Sequence, residues 1–176
     1  MNLVKAALAS FIFFNFSANL ALAHFGMVIP EDPIVTQNKK QTTIQLSFSH
    51  PFENIGMDLE KPVSLVVLEN GKQKNLNPAL AASKVMDHNA WKASYAIKRP
   101  GVYMFCMEPE PYWEPMEDCF IIHYTKTVVT AFGVDDGWDA EAGLKTEIVP
   151  LSKPYGLYAG NLFQGMIMLD GKPVPY

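Results

Sequence analysis

The sequence predicts an all-β protein: an immunoglobulin-like antiparallel β-sandwich that follows a cleaved signal peptide and runs into the beginning of a second β domain. Three observations carry this. Segments rich in β-branched and aromatic residues alternate with period two, as in Ile44, Leu46 and Phe48 and in Trp91, Ala93, Tyr95 and Ile97. Turn signals separate these segments at short intervals, at Asn70-Gly71, Arg99-Pro100-Gly101 and Asp170-Gly171. No strong helical period follows the first 23 residues.

Residues 1–23 have the parts of an export signal. Lys5 is the basic n-region, and Ala6 to Phe16 is a mostly apolar run too short to span a bilayer comfortably. Ser17 and Asn19 then lead to the small-residue cleavage triplet Ala21-Leu22-Ala23. The competing reading is an uncleaved membrane anchor. No cysteine sits at the cut, which argues against a lipid-anchored terminus. Cleavage after Ala23 leaves a periplasmic protein that begins at His24. Residues 24–143 then form the sandwich, and residues 144–176 start a second, truncated β domain.

In chain order, Phe25 to Ile29 is a short apolar strand stopped by Pro30, as at a sheet edge. Glu31 to Lys40 is a polar loop with Pro33. Thr42 to Phe48 is a strand with one buried face, and His50 ends it because Pro51 follows. Phe52 to Lys61 reads as loop, Val63 to Leu68 as a strand, and Asn70-Gly71 as a hairpin turn. Asn75 to Asn89 is ambiguous, with one weak helical turn over Pro78 to Val85. Trp91 to Ile97 and Val102 to Met107 are strands. Glu108 to Asp118 is an acidic, aromatic, proline-stiffened loop. Cys119 to Thr130 is the longest strand, with His123 inside it. Gly133 to Gly143 is a second acidic loop. Leu144 to Leu151 and Leu162 to Leu169 are strands, and Asp170-Gly171 is a hairpin turn after which the sequence stops at Tyr176, where a return strand is expected to begin.

The chain carries 18 acidic and 14 basic residues, for a net charge of −4, and loses one more positive charge with Lys5. An acidic exported protein is a poor partner for nucleic acid and a better one for cations. Cys106 and Cys119 are the only cysteines. An even count in an exported chain suggests a disulfide closing a hairpin loop, with two buried free thiols as the alternative. Their spacing fits no thiolate metal motif.

An N-terminal histidine places a free α-amine beside its own ring Nδ1. With pKa values of about 7.7–8.0 and about 6.5, both nitrogens are available near neutral pH. One further imidazole from another strand would complete a T-shaped three-nitrogen site, a histidine brace, suited to Ni, Co, Cu or Zn. His24, His50 and His123 are the candidate ligands. His50 and His123 lie at or in extended segments, where a lone histidine is ordinarily a turn or core residue. His88, in the polar stretch Asp87-His88-Asn89, is not a candidate. No nucleophile elbow, phosphate loop or dinucleotide fingerprint is present.

Four stretches resemble one exported family: Ala-His-Phe-Gly-Met-Val-Ile-Pro (Ala23 to Pro30), Ser-His-Pro-Phe-Glu (Ser49 to Glu53), Pro-Tyr-Trp-Glu-Pro-Met-Glu-Asp-Cys-Phe-Ile-Ile-His-Tyr-Thr-Lys (Pro111 to Lys126) and Gly-Leu-Lys-Thr-Glu-Ile-Val-Pro-Leu (Gly143 to Leu151). This is the domain-of-unknown-function family found in periplasmic components of nickel and cobalt uptake transporters (NikM/NikK-like). The resemblance implies a non-enzymatic protein that captures Ni²⁺ or Co²⁺ for membrane subunits of an uptake transporter. Two rival readings stand beside it. One is a copper carrier or oxidative copper enzyme with the same brace, since Cu²⁺ outranks Ni²⁺ at nitrogen sites. The other is a metal-free docking module using Tyr112, Trp113 and the acidic loop.

Overall fold

The structure, a computed structural model, describes residues 24–175. The expected signal peptide and cleavage triplet, residues 1–23, lie outside the described residues. The described chain is almost wholly β, in antiparallel sheets arranged as a sandwich, so the expected fold class is observed.

The first sheet contains β1 (Phe25–Pro30), β3 (Gln41–His50), β8 (His88–Ala96) and β7 (Ala81–Val85) in that order. Along β3, β8 pairs with Gln41 to Leu46, and β4 (Ile55–Met57) then pairs with Phe48 to His50. The second sheet runs β2 (Ile34–Val35), β12 (Thr125–Ala131), β9 (Gly101–Glu108), β5 (Ser64–Glu69) and β6 (Lys72–Asn75). Inward-facing residues of both sheets close one core, including Ile44, Leu46, Phe48, Leu65, Val67, Tyr103, Phe105 and Val129. The other face of the second sheet is also covered. Met104, Cys106 and Val128 pack there with Ala142 under Trp138, Leu144 and Tyr155. This is why β9 is apolar at nearly every position instead of alternating.

Two smaller units complete the fold. β10 (Tyr112–Glu114) and β11 (Cys119–Ile121) form a hairpin, and β13 (Thr146–Pro150), β14 (Gly165–Leu169) and β15 (Lys172–Pro173) form a three-stranded sheet. A buried ion pair ties that sheet to the sandwich. Lys126 Nζ lies 2.6 Å from Glu147 Oε2, and the amides of Ala142 and Gly143 donate to the same carboxylate at 2.9 Å. Burial alone would raise the Glu147 carboxyl. The bond from Lys126 and the two amides outweigh it and hold the group below its ordinary value.

Several elements depart from the sequence reading. The loop Glu31 to Lys40 contains β2, which pairs in parallel with β12, and the loop Phe52 to Lys61 contains β4. The weak helical turn is reduced to a 3-10 turn at Asn77–Ala79, and Ala81–Val85 is strand. That strand reaches β8 through Met86-Asp87, both with positive φ, a hairpin turn made without glycine. Part of the acidic loop is β10. A short return strand, β15, does follow Asp170-Gly171.

The disulfide is not formed, and both cysteines are free. Cys106 faces the outer cluster from β9, opposite Lys126 of β12. Cys119 is exposed in the separate hairpin, opposite Glu114. The pairing that sets the two strands therefore turns the two thiols to different neighbours. Burial pushes the Cys106 thiol up to about 12, so it is inert. Thiol titration of the native protein is expected to modify Cys119 alone, and denaturation is expected to release the second.

Glu147 gives a second test. Its carboxyl is lowered in the fold, so its contribution to stability is complete above the ordinary value of 4.5 and lost as pH falls below it. Lys126→Met strands a buried carboxylate and should cost about 3 kcal/mol at neutral pH. Chemical denaturation at neutral and acid pH should show that loss shrinking as Glu147 protonates.

Candidate metal centre

The centre is built at one end of the first sheet. β1 and β3 are antiparallel with Phe25 opposite Ser49, so one step further His24 meets His50. The two ring centroids lie 4.2 Å apart, tilted by 57°. β3 extends this far because its second half is buried at every position, and β4 covers its other edge with Ile55 opposite His50. His50 is 5 % exposed. Its Nδ1 is buried without a hydrogen-bond partner, as are the hydroxyls of Ser47 and Ser49 on the same strand. An unpaired imidazole nitrogen in an apolar setting is costly, and in the tautomer that carries the proton on Nε2 it is a free lone pair.

The hairpin β10–β11 lies over this end. Tyr112 sits 5.2 Å from the His24 ring and 5.1 Å from Phe48. Glu114, two residues on and therefore on the same face, is 7 % exposed and brings Oε2 to 3.3 Å from His24 Nδ1. Its other oxygen accepts the Met116 amide at 3.1 Å. Phe48 is the common neighbour, stacked on His24 at 5.6 Å and tilted against His123 at 5.2 Å.

His123 is not in mid-strand. The expected long strand is two strands, β11 and β12, and Ile122, His123 and Tyr124 form the break between them. The break exists because β11 pairs with the hairpin while β12 pairs with β9, starting from Thr125 opposite Met107. Thr125 Oγ1 lies 2.8 Å from the Gly26 carbonyl and 2.9 Å from the His123 carbonyl, fastening the break to β1. Gly26 has no side chain where one would collide, since a Cβ there would sit 2.9 Å from His123 Cβ. Burial, then the neighbouring His24 charge, hold the His123 ring below its ordinary value, against a hydrogen bond with the His24 backbone. His123 is consequently neutral at physiological pH, as a metal ligand must be. Beside it opens a cavity of about 250 Å³, lined by Phe48, Tyr112 and Trp113 and by the acidic residues Asp58, Glu60 and Glu110.

The structure thus brings His24, His50 and His123 to one end of the sandwich. The first two touch through their rings, and His123 meets His24 through its backbone. Among the described residues, no group of three His, Cys, Asp or Glu side chains is arranged to enclose an ion. A brace needs fewer side chains, because one residue supplies two nitrogens. His88 does not join them: its Nδ1 lies 3.4 Å from Asp58, a residue that lines the cavity beside His123. Glu114 was not singled out from sequence. Its signal was the alternation Tyr112, Glu114 after Pro111, which puts ring and carboxylate on one face.

A family model described as Domain of unknown function (DUF4198) matches residues 21–176. No curated protein and no solved structure matches the chain.

Gly26→Ala tests the close approach. The new methyl must push His123 and β1 apart, at an expected cost of about 1–3 kcal/mol by chemical denaturation. The His123 ring resonances should move towards an ordinary imidazole titration as burial is lost.

Proposed function

The chain belongs to the DUF4198 family, and on that premise we propose that it is a periplasmic carrier, not an enzyme, which captures Ni²⁺ or Co²⁺ and passes it to a membrane uptake transporter. The proposed ligands are the α-amine and ring of His24 after cleavage, with His50 and His123. The observation that carries this reading is the contact of the His24 and His50 rings, 4.2 Å between centroids, with the buried His50 Nδ1 unpartnered. Nitrogen donors suit late first-row divalent ions. The Glu114 carboxylate beside His24 adds a negative charge next to the bound cation. These four nitrogen donors leave positions open on a six-coordinate ion, which lets a receiving protein take it. The resemblance to nickel and cobalt uptake components supports the choice of metal.

The test is the position of the terminus. One glycine added before His24 keeps every imidazole but converts the amine into an amide. Calorimetry in matched buffer should show at least a tenfold loss of Ni²⁺ affinity, about 1.4 kcal/mol. His24→Ala should cost more, His50→Ala and His123→Ala should each weaken binding, and His88→Ala should leave it unchanged. Affinity should fall as pH is lowered, because protons compete with the metal for nitrogen donors, with the His123 ring holding out to lower pH than an ordinary imidazole. Equal affinity of the extended and native termini would overturn the brace.

A further inference from the structure

At the end of the sandwich away from the histidines, cationic side chains gather in one groove, while Asp136 and Glu141 line a separate groove against the β5–β6 and β8–β9 turns. β3 begins there, with Gln41 opposite Ala96, and runs ten residues, ~30 Å, to His50. At this end the β5–β6 turn and the β8–β9 turn stand side by side around a groove of about 340 Å³. Lys72, Lys74, Lys98 and Arg99 line it, and Arg99 is the only arginine in the chain. All four are exposed. Among the described residues none of the four is in a salt bridge, whereas Lys39, Lys126 and Lys153 all are.

The groove's single carboxylate is turned away from this role. Glu69 accepts hydrogen bonds from Tyr95 and Tyr103, one on each oxygen at 3.2 Å. Burial, and then Glu69 itself, push the Tyr95 hydroxyl up to about 12, so it remains a donor. Lys74 rests over the Tyr95 ring at 5.0 Å. The Tyr103 hydroxyl also lies 2.8 Å from the Arg99 carbonyl, which holds the second turn against the first. Four cations outside any salt bridge are thus presented, two on β6 and two in the β8–β9 turn, in a chain whose net charge is −4.

We propose that this basic end docks the protein onto an anionic membrane surface, its lysines and arginine reaching the phosphates of lipid headgroups. The open groove and exposed side chains fit a broad anionic surface better than an enclosed small anion. Docking by this end holds the histidine end ~30 Å from the headgroups, accessible to solvent.

The experiment measures partition of the native-terminus protein onto vesicles by sedimentation. Vesicles containing phosphatidylglycerol should retain the protein at low salt and release it as salt rises. Purely zwitterionic vesicles should not retain it. Changing Lys72, Lys74, Lys98 and Arg99 together to Gln should abolish retention, and each cation removed singly should lower it roughly fivefold. The control changes Lys84, Lys92, Lys145 and Lys172 to Gln, an equal loss of charge elsewhere, and should retain most of the binding. Unchanged thermal midpoints verify that both variants fold. Equal partition of the two variants would overturn the proposal. So would saturable binding of inorganic phosphate or of an acidic polypeptide without vesicle binding.

Discussion

The pairing of β1 with β3 is the constraint on which the rest of this molecule depends. It places the first residue of the described chain opposite the last residue of the longest strand, and so sets His24 against His50. A strand pair has no intermediate registers. A slip of one residue would turn Phe48 and His50 to the other face of the sheet and expose their neighbours. The slip is blocked from both sides. Gly26 admits His123 only at its own position, and the Thr125 hydroxyl reaches the Gly26 carbonyl only in this register.

Around that pairing the protein has gathered aromatic rings, with Asp58, Glu60 and Glu110 lining the cavity beside His123. Phe48 touches His24, Tyr112 and His123, and it is itself buried. Such burial holds the His123 ring below its ordinary value by withholding water. It also strengthens whatever polar contact is made inside it. The carboxylate against the His24 ring itself is Glu114, and it is anchored through the Met116 amide.

How much of this was legible depended on how local each cause was. β3, β8, the Asn70-Gly71 turn and the edge position of β1 were readable because alternation, a type I′ turn and a proline are properties of adjacent residues. β2 was not, because two residues in a proline-containing loop become strand only by lying against β12. The break at His123 was equally invisible. Ile, His, Tyr and Thr all suit a strand, and the interruption arises from two different partners on either side of it. The cysteines misled for a related reason: spacing gives the length of a loop but not the direction in which a thiol faces. In the site, the histidines could be named from sequence, whereas Glu114 and Phe48 became significant only once the hairpin was seen lying over β1 and β3.

The bond between Thr125 and Gly26 joins residues 99 positions apart, and that separation bears on the order of events during synthesis. A chain emerges from its N-terminus, so β1 is among the first segments available and β12 among the last. Until β12 arrives, β1 can pair with β3 but has nothing to hold it against the second sheet. Long-range closures of this kind are slow, because chain entropy is spent before contacts return it. The histidine cluster is therefore a late product of folding, assembled when nearly the whole sandwich is in place. A partly made chain would present the same histidines as separate, solvated side chains, without the enclosed geometry of the finished protein.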